Sequence, residues 1–388
     1  MDFIVLYCEQ WDTPLRTSKH HYIERLAADG HRVLYVEVPA NPISIVRRWT
    51  DFSKRIFPVL RKSIEQVAPN IWTTVGFVPF PYHPALGVIF DNVFVNHLNQ
   101  LVNIRFILSA VTKLGFTSPT IISYYPFAMP VLDRLAPRKV VFHMVDEWQG
   151  IRGIPRSTAR LTAEMLKIAD TSIVTSRRLY ERYAPVAKHI KLLRHGTDLS
   201  LFGPVATGRV ELDQNTAPYL GIKIGYYGAL HKLDFDLVRR MAQSKQEWTF
   251  LFVGPEVGGQ GVAQKEEFPP NVVFLGAYPR TRLPQFLASI DAFWMPFIVN
   301  ELTHSMCPIK IFEVLSSGVP FVATDLDESR EVAGKIGLFA SNDAEHLEKL
   351  GEALTSRSRE MSERYIEHVA QYDWAVRYKS FLEILQHE

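Results

Sequence analysis

Short apolar runs alternate with longer stretches of helical periodicity along almost the whole chain. Residues 3–7 read as a buried strand, 18–29 as a helix and 32–38 as a second strand after the stop at Gly30. Further strands are expected at 120–123, 139–145, 172–175 and 190–193, with helical stretches such as 158–169 between them. Residues 203–220 show little periodicity and read as a linker. A second series follows, with strands at 223–227, 249–253, 272–275, 292–295 and 320–323 and helices at 236–242, 282–288 and 308–316. Strands alternating with helices predict parallel sheets covered on both faces. The expected fold class is α/β, with two Rossmann-like doubly wound domains in tandem and ligands at the C-terminal ends of their strands.

The length of 388 residues agrees with two domains, because a single core rarely grows beyond roughly 250–300 residues. Lys and Arg total 43 against 41 Asp and Glu, a net charge of +2 that gives no global basic field for nucleic acid. Two cysteines, Cys8 and Cys307, are too few for a disulfide framework and suit a reducing, cytoplasmic compartment. The first residues lack a signal-peptide layout, and no apolar run reaches the ~18 residues of a spanning helix.

One segment departs from the near-neutral balance. Residues 43–62 carry Arg47, Arg48, Lys54, Arg55, Arg61 and Lys62 against a single acid, Asp51, with Trp49, Phe52 and Phe57 interleaved. Such a basic, aromatic stretch suits the anionic headgroups of a membrane surface, with Arg47, Arg48, Trp49, Phe52, Lys54 and Arg55 as the contacts. A helix packed by its apolar side on the first domain is the other reading. The expected location is therefore peripheral, on the inner face of the cell membrane.

Several chemistries find no support. The first strand runs into Cys8-Glu9-Gln10-Trp11-Asp12, which has none of the glycines of a dinucleotide fingerprint. No Walker A sequence, nucleophile elbow or metal-ligand spacing occurs, so neither a metal nor a bound cofactor is expected.

The informative stretch is residues 296–324. A strand ends near Pro296, a polar loop follows, and Pro308 suits the first position of a helix that Gly318 stops. The helix N-terminus then faces the C-terminal edge of the sheet, where free N–H groups attract anions. Lys310 lies in the first turn, where the helix dipole disfavours a cation unless an anion such as a diphosphate is near. Glu313, three residues on, shares its face and can accept hydrogen bonds from sugar hydroxyls; an ordinary surface Lys–Glu pair would look the same.

This stretch resembles the donor-binding region of GT-B glycosyltransferases, especially the family 4-like enzymes of bacterial exopolysaccharide and teichuronic acid assembly. Residues 170–176, the turn His195-Gly196-Thr197-Asp198, Gly225-Tyr226-Tyr227-Gly228 and Tyr372-Asp373-Trp374 are similar as well. The resemblance implies two domains facing a central cleft: an acceptor-side domain at 1–203, a donor-binding domain at 204–370, and a last helix, about 371–388, that crosses back. It implies a nucleoside-diphosphate sugar as donor and a lipid-linked or growing glycan as acceptor.

Glu313 matches the second Glu of the family's Glu-seven-residues-Glu pattern, which binds the donor ribose. The first Glu position holds Ser305, and Met306 lies beside it; the Arg expected after Gly228 is replaced by Ala229. Lys310 resembles the phosphate-binding lysine of membrane-associated polysaccharide glucuronosyltransferases and is expected to carry more of the diphosphate, with no metal required. Gly225 and Gly228 would let backbone approach the diphosphate, or serve close strand packing. His231 and Lys232 either ligate phosphate or belong to a solvated loop. In the first domain Asp146 is a candidate general base or a helix cap. Arg16 and Lys19 follow the first strand, where they could meet the acceptor or a phosphate. An epimerase of the same fold and a non-catalytic membrane scaffold are the competing readings.

Overall fold

The computed structural model describes residues 1–13, 16–42, 64–80, 92–147, 157–255 and 268–386. The chain divides into two units, 1–193 with 378–388, and 194–377.

In the first unit, β1 (Asp2–Cys8), β2 (Arg32–Ala40), β3 (Glu65–Ala68), β4 (Ile71–Phe77), β5 (Thr120–Ser123), β6 (Lys139–Met144), β7 (Thr171–Val174) and β8 (Ile190–Leu192) form one sheet in the order β3-β4-β2-β1-β5-β6-β7-β8. All neighbours are parallel except β3, which runs antiparallel to β4. β1 and β5 are buried along almost their whole length, as a parallel sheet covered on both faces requires. β3 and β4 add an edge that the apolar pattern alone did not announce, since β4 alternates with threonines and a glycine. Tyr22 stacks on Phe381 with ring centres 4.3 Å apart, Tyr378 donates to Asp29, and Lys139 donates to the carbonyls of Ile384 and Leu385. These contacts place the last residues of the chain with the first unit.

The second unit holds β9 (Ile222–Tyr227), β10 (Trp248–Val253), β11 (Val272–Gly276), β12 (Ala292–Met295), β13 (Phe321–Thr324) and β14 (Leu338–Ala340). Their order, β11-β10-β9-β12-β13-β14, is parallel throughout and reverses direction between β9 and β12. Such a switch point leaves a crevice at the strands' C-terminal ends.

The stretch expected to be a linker from 203 is partly helical. The Leu199–Ala206 helix buries Phe202 and Val205 in the second unit's core, and the division falls at 193. Pro204 inside that helix, followed by a polar run, is what removed its periodicity. The basic-aromatic segment with Arg47, Arg48, Trp49, Phe52, Lys54 and Arg55 lies outside the described residues. Among the described residues no helix is long and apolar enough to cross a membrane.

Gly225 lies inside β9, where a Cβ would come within 2.7 Å of Ile290 and 2.9 Å of Phe286. That is the close-packing role, because both neighbours are fully buried and cannot yield. Gly225→Ala is expected to destabilise the protein by about 1–3 kcal/mol through overpacking. Urea unfolding measures this, and an unchanged midpoint would contradict it.

Candidate functional site

The crevice of the second unit is organised by two loops tied together. After β9 the chain passes Gly228 and a short turn, Leu230–Lys232; after β12 it passes Pro296 and Phe297. Asp234 N–H donates to the Pro296 carbonyl at 2.8 Å, Ile298 N–H donates to the Lys232 carbonyl at 3.0 Å, and Leu233 pairs with Phe297. The Lys232 backbone is thereby fixed to the far loop. Asn300 caps the Glu301–Ser305 helix through Thr303, and Thr303 Oγ1 donates to the Ile298 carbonyl at 2.7 Å.

The Ile309–Ser317 helix follows. Ile311, Phe312, Val314 and Leu315 anchor it in the core, and it ends at Gly318 in the left-handed conformation, φ +68°. Pro308 is its N-cap rather than its first helical residue, and among the described residues no side chain caps the first turn. The first-turn N–H groups are thus left without a side-chain acceptor, which makes an anion site available.

Lys310 leaves this first turn and lies across Gly228: a Cβ there would sit 2.0 Å from Lys310 Cε and 2.9 Å from Nζ. Gly228 also has φ +138°, so only glycine serves both demands. Behind it, Gly228 N–H donates to the Val253 carbonyl at 2.8 Å, and a Cβ on Gly254 would strike the Gly228 carbonyl at 1.9 Å. Burial lowers the Lys310 ammonium to about 8; nearby Lys232 adds to this and Glu313 opposes it. Lys232 Nζ rests on Met306 Sδ at 2.8 Å. No acid among the described residues lies within ion-pair reach of either lysine. His195 is pushed down to about 4 by burial and by the charges of Lys310 and Lys232, so it is neutral at physiological pH.

One carboxylate completes the group. Glu313 is 7% exposed, and its Oε2 accepts from Tyr227 OH at 2.8 Å while Oε1 lies 3.8 Å from Arg280 Nε. Burial raises its pKa, opposed by Arg280, Lys310 and the Tyr227 hydrogen bond. The second unit therefore brings together Gly228, Lys232, Lys310 and Glu313 from the sequence reading, and adds His195, Tyr227 and Arg280. Ser305 is buried, and Met306 serves as the rest for Lys232. Arg280 stands 33 positions before Glu313 in the short 3-10 turn Arg280–Arg282, and only the fold reveals it. Lys232 stands four residues after Gly228, where the sequence alone does not distinguish it from a solvated lysine.

In the first unit the expected cations are already matched. Lys19 Nζ pairs with Glu9 Oε2 at 2.5 Å and lies over the Tyr124 ring at 4.9 Å; Arg16 pairs with Glu24 at 3.2 Å and lies over Trp11. Glu147 is buried and held by Tyr183 OH at 2.9 and 3.1 Å and by Arg182 at 3.1 Å. Asp146 is partly exposed just past the end of β6, and the next described helix starts only at Ser157. Among the described residues no three His, Cys, Asp or Glu side chains converge to hold a metal ion.

Residues 222–356 match the family model for glycosyl transferases group 1. The chain is 33% identical over 114 residues to TuaH of Bacillus subtilis, whose name assigns it to teichuronic acid biosynthesis as a glycosyltransferase; the match spans 29% of each protein. Its fold is similar to Anabaena HepE crystallised with UDP and glucose, at TM-score 0.68 and 16% identity over 99% of both chains. It is also similar to WaaG, a glycosyltransferase involved in lipopolysaccharide biosynthesis, at TM-score 0.65 and 12% identity over 100% of both chains.

The chain has the GT-B fold, and its residues 222–356 are similar to the glycosyl transferases of group 1. In this GT-B protein the matched residues include Gly228, Lys232, Arg280, Lys310 and Glu313, all in the second unit.

A lysine kept near 8 by burial is charged at pH 7 at the expense of stability. Its unfolded value is about 10.4, so between the two the unfolded chain binds more protons and stability rises with pH. Lys310→Met is expected to unfold at a higher temperature than the wild type at pH 7, with the gap shrinking as pH passes from 8 to above 10. Thermal unfolding at both pH values tests this, and an equal gap at both would contradict it.

Proposed function

We propose that the protein is a glycosyltransferase that takes a nucleoside-diphosphate sugar as donor and transfers the sugar to a lipid-linked or growing glycan acceptor in cell-surface polysaccharide synthesis. The observation that carries this reading is the pair Lys232 and Lys310, with no acid among the described residues in ion-pair reach, at an open helix N-terminus about one turn from Glu313, an acceptor suited to ribose hydroxyls. Two buried-edge cations beside free N–H groups fit the charge of a diphosphate. Glu313 Oε1 retains lone pairs for the hydroxyls of a ribose. The likeness to HepE, crystallised with UDP and glucose, and the TuaH match support the donor class and the glycan context.

In the transfer, the acceptor oxygen bonds to the anomeric carbon and the bond from that carbon to the diphosphate breaks. The diphosphate leaves with the electron pair, and Lys310, Lys232 and the first-turn amides stabilise the charge that develops on it. Binding an anion also favours the protonated form of Lys310, because the phosphate supplies a counter-charge where burial has removed water. Asp146, assigned to acceptor activation, takes the proton of the attacking hydroxyl. The basic-aromatic segment at 43–62 holds the protein on the cytoplasmic face of an anionic membrane, where a lipid-linked acceptor resides.

Lys310→Ala is expected to weaken binding of the preferred nucleoside diphosphate by about 10- to 100-fold, and Glu313→Ala by about 10-fold, in calorimetry at pH 7; affinity unchanged in both would overturn the site. In a flotation assay with vesicles containing phosphatidylserine, the wild type is expected to float and the variant with Arg47, Arg48, Lys54 and Arg55 changed to Ser to stay in the soluble fraction. Equal flotation would remove the membrane role of that segment.

A further inference from the structure

We propose that Arg280 is a positioning residue that holds the Glu313 carboxylate ready as an acceptor of ligand hydroxyls. The inference rests on the nucleotide-binding reading above and assigns a part to a residue outside the motif. Glu313 has one oxygen occupied and one available: Oε2 accepts from Tyr227 OH at 2.8 Å, and Oε1 faces Arg280 Nε at 3.8 Å. That distance is too long for a hydrogen bond, so the guanidinium attracts Oε1 without consuming its lone pairs.

Arg280 is itself held in place. Its side chain is 17% exposed, its guanidinium lies 5.5 Å from the Phe202 ring centre, and Nη1 is 3.6 Å from Asp198 Oδ2. The other Asp198 oxygen accepts from Leu201 N–H at 3.1 Å and Ser200 Oγ at 2.6 Å, which fixes Asp198 at the start of its helix. The brace therefore runs from a helix N-cap through a stacked guanidinium to the available oxygen.

The charged and titratable groups around Glu313 are Tyr227 on β9, Arg280 beside β11, Asp198 at the start of the Leu199–Ala206 helix and Lys310 on its own helix. Burial and Asp198 favour the protonated acid; Arg280 is the strongest opposing charge, followed by Lys310. Once a diphosphate engages Lys310, Arg280 is the main cation that keeps Glu313 an acceptor. A protonated Glu313 would offer one acceptor fewer at the same place.

The test uses the full-length protein labelled with carboxyl-13C glutamate, the Glu313 resonance being assigned by its loss in Glu313→Gln. Without nucleotide, Arg280→Gln is expected to raise the Glu313 titration midpoint by about one pH unit or more, and Arg280→Lys by less. Asp198→Asn, which keeps a good N-cap, is expected to lower it. The acid limb of affinity for the nucleoside diphosphate that the wild type binds best among UDP, GDP, ADP and dTDP should shift with the midpoint in each variant. A folded Arg280→Gln protein with an unmoved midpoint overturns the inference, as does an affinity loss equal at every pH, which would mark a merely structural residue. A shifted midpoint in a protein whose wild type binds none of the four overturns the nucleotide reading and leaves the Arg280–Glu313 coupling standing.

Discussion

Lys310 is a cation placed where two forces oppose it, the positive end of a helix and the loss of water, with a second lysine nearby. The surrounding residues make sense as the means of holding that charge in reach of a ligand. Gly228 gives up its side chain so that the lysine stem can cross the strand end, and Gly254 gives up its own so that Gly228 can approach β10. The bridges between the loops after β9 and β12 bring Lys232 to the same place. An arrangement that disfavours itself in the free protein and is relieved by an anion is what a diphosphate site requires.

The sheet supplies the position. In the order β11-β10-β9-β12-β13-β14 the chain turns away from itself between β9 and β12, so the segments leaving those strands diverge and open a crevice. The apolar face of the Ile309–Ser317 helix, buried from Ile311 to Ser317, fixes the axis on which Lys310 and Glu313 share one side. Tyr227, the last residue of β9, then meets Glu313 by strand geometry alone. Fold and chemistry are joined at that single hydrogen bond.

The sequence pattern announced the strands with an uninterrupted apolar run, such as β1 from Phe3 onward and β12, because full burial on both faces leaves no polar alternation to obscure them. β3 and β14 were hidden by their brevity and edge positions, and β4 by its interleaved threonines and glycine. At the site, Lys310 and Glu313 stood out because their spacing is local and the helix signals around them are strong. Tyr227 and Arg280 reach the same carboxylate from two other segments and Asp198 holds Arg280 from a third, and no spacing rule connects positions so far apart in the chain. Gly225 and Gly228 look alike in sequence, yet one meets Ile290 and the other meets Lys310. Arg16 and Lys19 looked like free cations because the acids that match them, Glu24 and Glu9, lie across a helix turn and a loop.

The central claim, that the cations at the start of the Ile309–Ser317 helix hold a diphosphate while Glu313 holds a ribose, is tested most directly by a crystal structure of the protein with its preferred nucleoside diphosphate. The account predicts phosphate oxygens within hydrogen-bond distance of Lys310 Nζ and of a first-turn N–H, and ribose hydroxyls on Glu313 Oε1. A nucleotide bound elsewhere, with Lys310 and Glu313 untouched, would contradict it.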